Sequence, residues 1–390
     1  MKTLIFSFVL PVTLSLSITM AQPVPPTPIS YFNLGRGQDI AARPMALGGS
    51  YTAIASDGSA LYYNAAGLSA VKKHELALSL ERTEMQATDR AEGYATNEAN
   101  QSLMRLQSLS FLLPIPTHRG GLTFAFGYSR PRTFSDLIQF DDIKNSVKGK
   151  YVSQAEGTLD QYRIGMGIDL SPDISFGLAT GFVSGSEAIS IFDSTQAKYF
   201  TEYRGINLEP SLMLKITPRL KLGMGLVLYE KMNNIKETYA EIGRADEVTD
   251  YEAEYPFQLK SGLAYQGNDF LLSADFKLNG WSQYRYGLSG NASLEPASYK
   301  DEVALSFGGE KFIAPLNMML RGGYTYNTTN EIGYSPTYDL NRISTGIGFL
   351  MSGSLAVDLA YSYSFWGFSD ASVNLDNREH RALMSLAYRF

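Results

Sequence analysis

From residue 74 to the last residue, apolar positions alternate with small or polar ones at a period of two. In Tyr162–Leu170, residues Tyr162, Ile164, Met166, Ile168 and Leu170 share one face, and Arg163, Gly165, Gly167 and Asp169 the other. The same split recurs where Ile174, Phe176, Leu178, Thr180 and Phe182 oppose Ser175, Gly177, Ala179 and Gly181, and again along Leu220–Leu228 and Leu355–Phe365. Successive side chains of a strand point to opposite faces, so each run reads as a β-strand with one greasy face. A water-soluble sandwich would make the second face uniformly polar. Here it is mostly Gly, Ala and Ser with sparse charges, which suits the crowded interior of a closed barrel. The greasy tracks are nearly free of charge, as lipid requires, since Arg or Lys at the bilayer midplane costs about 2–4 kcal/mol.

Segments that alternate over about nine residues or more number fourteen, from His74–Arg82 to Arg381–Phe390. Short turns at Pro114–Gly121, Ser171–Asp173, Thr217–Arg219, Gln266–Asp269, Ala314–Asn317 and Ser352–Ser354 carry the Pro, Gly, Asn and Asp that tight turns favour. They take turns with longer polar stretches, read as loops, at 83–104, 131–155, 187–200, 232–250, 282–297, 327–338 and 367–377. An even strand number with tight turns at one end and long loops at the other is the pattern of an outer-membrane barrel. Aromatics near strand ends (Tyr128, Trp281, Tyr284, Phe365, Trp366, Phe368) fit interfacial girdles. The last strand must pair with the first, because an open edge in lipid leaves backbone groups unpaired. The expected fold is all-β: a transmembrane antiparallel β-barrel of fourteen strands with an N-terminal plug, or hatch, in its lumen.

The chain begins with Lys2, an apolar run from Leu4 to Ile18, and Thr19-Met20-Ala21. A positive start, a short apolar core and small residues at the exit read as a signal peptide over 1–21. Residues 74–390 form the barrel, and residues 22–73 stand between. That middle segment starts extended, with Pro23, Pro25, Pro26 and Pro28, and continues as two compact apolar units, Arg43–Ala55 and Ser59–Gly67. Asp57 or Ser59 is the expected cap of the second unit, and Gly67 its left-handed end. A fourteen-stranded barrel is wider than the eight-stranded kind that side chains fill, so its lumen is either wet or plugged. Left in the periplasm the segment would expose a sticky patch. Folded into the lumen it buries Met45, Leu47, Tyr51, Ile54, Leu61 and Tyr62. A periplasmic cap is the alternative; the plug is favoured.

Composition removes other classes. There is no Cys, so no disulfide supports the fold, and the net charge of −6 with no basic run beyond Lys72-Lys73 argues against nucleic acid. His occurs only at 74, 118 and 380, which excludes paired-His zinc spacing, and no Walker-type loop is present. A lipase would need His118 or His380 as its base. The first falls in an expected turn and the second in the last strand, so no catalytic residue, metal or cofactor is assigned. The inward charges Arg163, Asp169, Lys215, Lys221, Asp275, Lys277, Arg321 and Asp358 read as lumen networks or, alternatively, as partners of a ligand carboxylate.

The stretch "ARPMALGGSYTAIASDGSALYYNAAGL" resembles the N-terminal hatch of the FadL-type outer-membrane transporters of long-chain fatty acids and aromatic hydrocarbons. Those proteins read as a Gly-rich "MGGA", an acidic turn and "NPAGL". The stretch "YPFQLKSGLAYQGNDFLLSADFKLNGWSQY" is similar to the family's strand–turn–strand, and "LMSLAYRF" to its end. Asn64-Ala65-Ala66 stands at the Asn-Pro-Ala position, with Ala65 in place of Pro. The resemblance implies passive uptake of a hydrophobic small molecule across a Gram-negative outer membrane. The ligand would rest against a hatch whose gating residues are Met45, Leu47, Gly48, Gly49, Tyr51, Asn64, Ala65, Ala66 and Gly67. It would leave sideways beside an inward kink of the third strand, here Gly120–Tyr128, where Gly120, Gly121 and Gly127 permit bending. The loops at 187–200 and 232–250, where fatty-acid members carry a capture groove, are short or highly charged here. Expected partners are the hydrophobic ligand, outer-membrane lipid and, through Phe390, the barrel-assembly machinery, with the chain a monomer. The alternative is a PorV-type barrel of the same fold that binds secreted proteins through its outer loops.

Overall fold

The computed structural model describes residues 36–390 except 92–95, 145–146, 193–196, 242–244, 291–294, 297–298, 331–337, 352 and 370–372. The expected signal peptide and the proline-rich start lie outside the described residues.

Fourteen antiparallel strands follow in chain order. They are β1 Glu75–Ala91, β2 Asn97–Ile115, β3 Leu122–Thr133 with a continuation Asp136–Lys144, and β4 Val147–Ser171. Next come β5 Ile174–Phe192, β6 Ala197–Lys215, β7 Leu220–Val227 with Tyr229–Glu241, and β8 Glu247–Tyr255 with Gln258–Gln266. The rest are β9 Phe270–Asn279, β10 Glu302–Ile313, β11 Met318–Asn327, β12 Leu340–Met351, β13 Leu355–Ser369 and β14 Val373–Arg389. Each pairs with its neighbours, and β14 pairs with β1 from Glu75↔Arg389 to Ala91↔Val373, which closes the barrel. Leu76, Ile164, Phe182, Leu272 and Ile343 are exposed on the outside, while Glu81, Arg163, Asp275 and Arg381 are buried inside. The two-face reading of the sequence therefore holds strand by strand.

Several stretches read as loops are strand instead. β1 and β2 run on through 83–91 and 97–104, and the stretches at 131–155, 187–200 and 232–250 are likewise mostly ladder. In these extensions the sequence is polar at successive positions, as at Lys236, Glu237 and Thr238, so the hydropathy signal fades while the backbone pairing continues.

Residues 38–73 form the core. Helix α1 (Ala42–Ala46) ends on Gly48 and Gly49 at φ of 63° and 76°, and helix α2 (Ala60–Tyr63) runs into a 3-10 turn over Ala65–Ala70. Met45, Leu47, Tyr51, Tyr63, Ala66 and Leu68 are buried. The inward glycines of the wall are where this backbone lies on it. A Cβ on Gly177 would stand 2.0 Å from Ala66 N, one on Gly223 2.2 Å from Thr52 O, and one on Gly323 2.2 Å from Gly48 N. Glycine in a strand interior marks such a close approach. The capping expectations need correction. Ser59 makes no side-chain cap, although Asp57 accepts from its amide at 3.0 Å. Gly67 lies inside the 3-10 turn and is not in the left-handed region; it is glycine because a Cβ would meet Ala55 O at 1.8 Å.

Candidate functional site

Polar anchors fix residues 38–73 to the wall. Asp275 of β9 accepts from Tyr51 N (3.0 Å), Thr52 N (2.9 Å) and Thr52 Oγ1 (2.6 Å). Asn64 donates from Nδ2 to Thr52 O (2.8 Å) and to Leu212 O of β6 (3.0 Å), and its Oδ1 accepts from Ala66 N (3.0 Å). Asp39 accepts from Arg342 of β12 at 3.0 Å and from the Tyr63 hydroxyl at 2.7 Å. Burial would push the Asp39 carboxyl up, but attraction to Arg342, Lys277 and Arg381 outweighs it and holds the group below its usual value of 3.8. Arg43 and Arg321 both donate to Glu310, and Arg321 also to Asp358, tying α1 to β10, β11 and β13.

The wall itself is interrupted beside β3. The β2–β3 ladder covers Ser108–Ile115 against Leu122–Ser129 and stops there. The β3–β4 register slips between Ser129 and Arg132, around Pro131, which has no amide to donate. Arg132 and Thr133 pair with Gly37 and Arg36 in place of β2. The chain then turns inward, and Phe134 stacks on the buried Tyr203 of β6 with ring centroids 4.9 Å apart. On the β2 side the β1 register shifts by one residue between Ser79↔Ser108 and Leu80↔Leu106, which leaves Gln107 as a bulge. Its buried amide donates to Arg130 O (2.8 Å) and Asp39 O (3.0 Å). The expected kink of the third strand thus lies at Arg130–Ser135. Gly120, at φ 73°, belongs to the preceding tight turn, and Gly121 and Gly127 are bare because Ser69 O and the Leu61 side chain press against them.

Two cavities flank this break. A narrow crevice of about 20 Å³ is lined inside by Ile40, Leu61 and Tyr62. It reaches Leu109 and Tyr128, whose side chains point outward, by way of Ser108, Ser110, Gly127 and Ser129. Behind it, a small chamber of about 20 Å³ is lined by Tyr62, Pro131, Arg132, Gln161, Arg163, Asn207, Val227, Gln258 and Lys260. No carboxylate lines the chamber. Glu209 takes Arg163 at 3.0 Å and Lys260 at 2.6 Å. Arg163 Nε, Gln161 Oε1 and Asn207 Oδ1 are buried there without a hydrogen-bond partner among the described residues. Turning either amide about its last torsion presents its NH₂ instead. Cations and side-chain amides converging on one chamber suit an acidic head group.

The residues expected to gate fall into two groups. Asn64, Ala65, Ala66 and Gly67 form the turn after α2, which lines neither cavity, with Ala65 and Ala66 laid on Gly167 and Gly177. Met45, Leu47, Gly48, Gly49 and Tyr51 sit across the lumen against β9, β11 and β13, where they anchor and touch neither cavity. Of the inward charges, Arg163 lines the chamber, whereas Asp275, Arg321 and Asp358 hold the segment in place. Gln107, Arg132 and Lys260 went unnoticed in the sequence. Pro131 inside an alternating run was the one available sign of the break. His118 is exposed in its turn, and His380 faces outward, with Nδ1 2.6 Å from the Tyr361 hydroxyl, so neither belongs to a serine–carboxylate constellation among the described residues.

No protein family's sequence profile matches the chain, and neither does any curated protein sequence. Solved structures do match. A Pseudomonas aeruginosa FadL homologue aligns with a TM-score of 0.68 at 15% identity, over 91% of this chain and 100% of that one. The chain has the FadL fold. The P. putida toluene transporter TodX aligns equally well (TM-score 0.68, 15% identity, 91% and 99% covered), and the CymD monoaromatic hydrocarbon channel at 0.61 with 13% identity over 90% and 97%. The FadL fold thus extends over nearly the whole described barrel.

Proposed function

We propose that this protein is an outer-membrane channel through which hydrophobic small molecules with an acidic head group, long-chain fatty acids foremost, pass without an energy source. Residues 38–73 act as the hatch. The ligand rests with its head group in the chamber of Arg132, Arg163 and Lys260, and its exit is the wall break between β2 and β3. The observation that carries this reading is the pairing of a chamber lined by Arg132, Arg163 and Lys260 with a crevice that reaches the lipid-facing side. The named cargoes of TodX and CymD are neutral hydrocarbons. Such cargo would leave the buried Nε–H of Arg163 without an acceptor.

Equilibrium binding of labelled oleate and of toluene to the purified barrel tests the assignment. Oleate binding should weaken tenfold or more in Lys260→Met, with toluene unaffected. Equal loss of both, or tighter toluene than oleate binding in the parent, would refute the acidic-ligand reading. A barrel that docks secreted proteins finds no supporting feature among the described residues.

A further inference from the structure

The crevice and the chamber share two lining residues, Tyr62 and Arg163. Tyr62 is the member of α2 that is not buried; Ala60, Leu61 and Tyr63 are. Its ring stands edge-on to Tyr63 with centroids 5.1 Å apart, so one side is backed by the hatch. Toward the chamber, the Arg163 guanidinium lies 5.5 Å and Lys260 Nζ 5.0 Å from the ring centroid. The same two cations clasp the backbone beside the ring. Arg163 Nη1 donates to Leu61 O and Lys260 Nζ to Tyr62 O, each at 3.0 Å.

We propose that the Tyr62 side chain is the door between chamber and crevice, held shut by the very cations that receive the ligand's head group. A tyrosine ring over two cations is attracted through its π-face. A carboxylate arriving at Arg163 and Lys260 takes the charge that the ring and the two carbonyls were using. The ring then swings to another staggered rotamer, which needs no movement of the hatch backbone. A neutral hydrocarbon makes no claim on either cation and leaves the ring in place, so Tyr62 sets which molecules reach the wall. The release step rests on the acidic-ligand reading; the door itself does not.

The chain has no cysteine, so Ser129→Cys places a single thiol in the crevice. Its reaction with a charged, membrane-impermeant methanethiosulfonate is followed in the full-length barrel, with folding of each variant checked by its heat-modifiable migration. Adding Tyr62→Ala should speed labelling tenfold or more, and adding Tyr62→Phe should leave it unchanged. Decanoate should speed labelling when Tyr62 and Lys260 are intact but not with Lys260→Gln, and decanol should do nothing. Equal labelling with Tyr62→Ala and without it overturns the door. Labelling at the alanine rate in Tyr62→Phe overturns the hold through the ring. Acceleration by Tyr62→Ala with no response to decanoate overturns release by acidic head groups and the reading beneath it, while keeping the door.

Discussion

The side-chain amide of Gln107 donates to the carbonyl oxygen of Arg130 at 2.8 Å, across a stretch where β2 and β3 share no ladder. One side chain thus does locally what strand pairing does elsewhere, and a side chain is easier to move than a strand. Gln107→Leu leaves the Arg130 and Asp39 carbonyls without this donor, at a cost of about 1–3 kcal/mol. Faster hydrogen exchange at Asp39 and its neighbours, with the β1–β14 seam unchanged, is the expected result.

Leu61 reaches both Gly127 and Gly165: a Cβ added there would stand 2.8 Å from its Cδ2 and 2.6 Å from its Cδ1. Gly165→Ala should therefore weaken docking of α2 by about 1–3 kcal/mol, the usual cost of overpacking. Trypsin should then cut faster at Lys72 or Lys73, and adding Leu61→Ala should restore resistance.

Asp39 titrates below its usual value in the folded barrel. A lowered carboxyl stabilises the fold above the unfolded value and loses that contribution as pH falls through the folded one. Hatch docking should accordingly be flat from about pH 5 to 8 and weaken only below about pH 4. Pepsin digestion at descending pH reads this directly. Asp39→Asn should weaken docking at neutral pH, by about 3–5 kcal/mol for a buried charge left alone, and reduce the acid dependence, leaving the part carried by Glu310 and Asp275.

Ala65 opens the 3-10 turn, and Asn64 before it is extended, at φ −166° and ψ 100°. Proline fits the first position of a helical turn and favours an extended residue ahead of it. Ala65→Pro should fold normally and gain about 0.4–1 kcal/mol through the unfolded chain. Asn64→Ala, which removes two donors and an acceptor, should lose about 2–3 kcal/mol. Urea unfolding midpoints distinguish the two.

These residues also mark how much of the protein was legible in its sequence. The barrel was, because every lipid-facing strand repeats one greasy face and the strands close on each other. The buried N-terminal segment was, because its apolar content has nowhere else to go. Ala65 looked like a lost source of rigidity, yet the rigidity lies in the three bonds of Asn64, which only tertiary contact reveals. The outer strands were mistaken for loops because hydropathy fails where successive positions are polar. Gly127 of β3 looked like a hinge, whereas with Gly165 of β4 it makes a socket for Leu61. The chamber was illegible because Arg132, Arg163 and Lys260 come from β3, β4 and β8, and no local spacing links them.

Exit of the ligand through the wall between β2 and β3 can be blocked by joining Gln107→Cys to Arg130→Cys with a reducible bis-thiosulfonate linker, and uptake of labelled oleate by whole cells reads the result. Uptake should fall at least tenfold in the linked barrel and return on reduction. Undiminished uptake with the link in place would contradict exit through this wall.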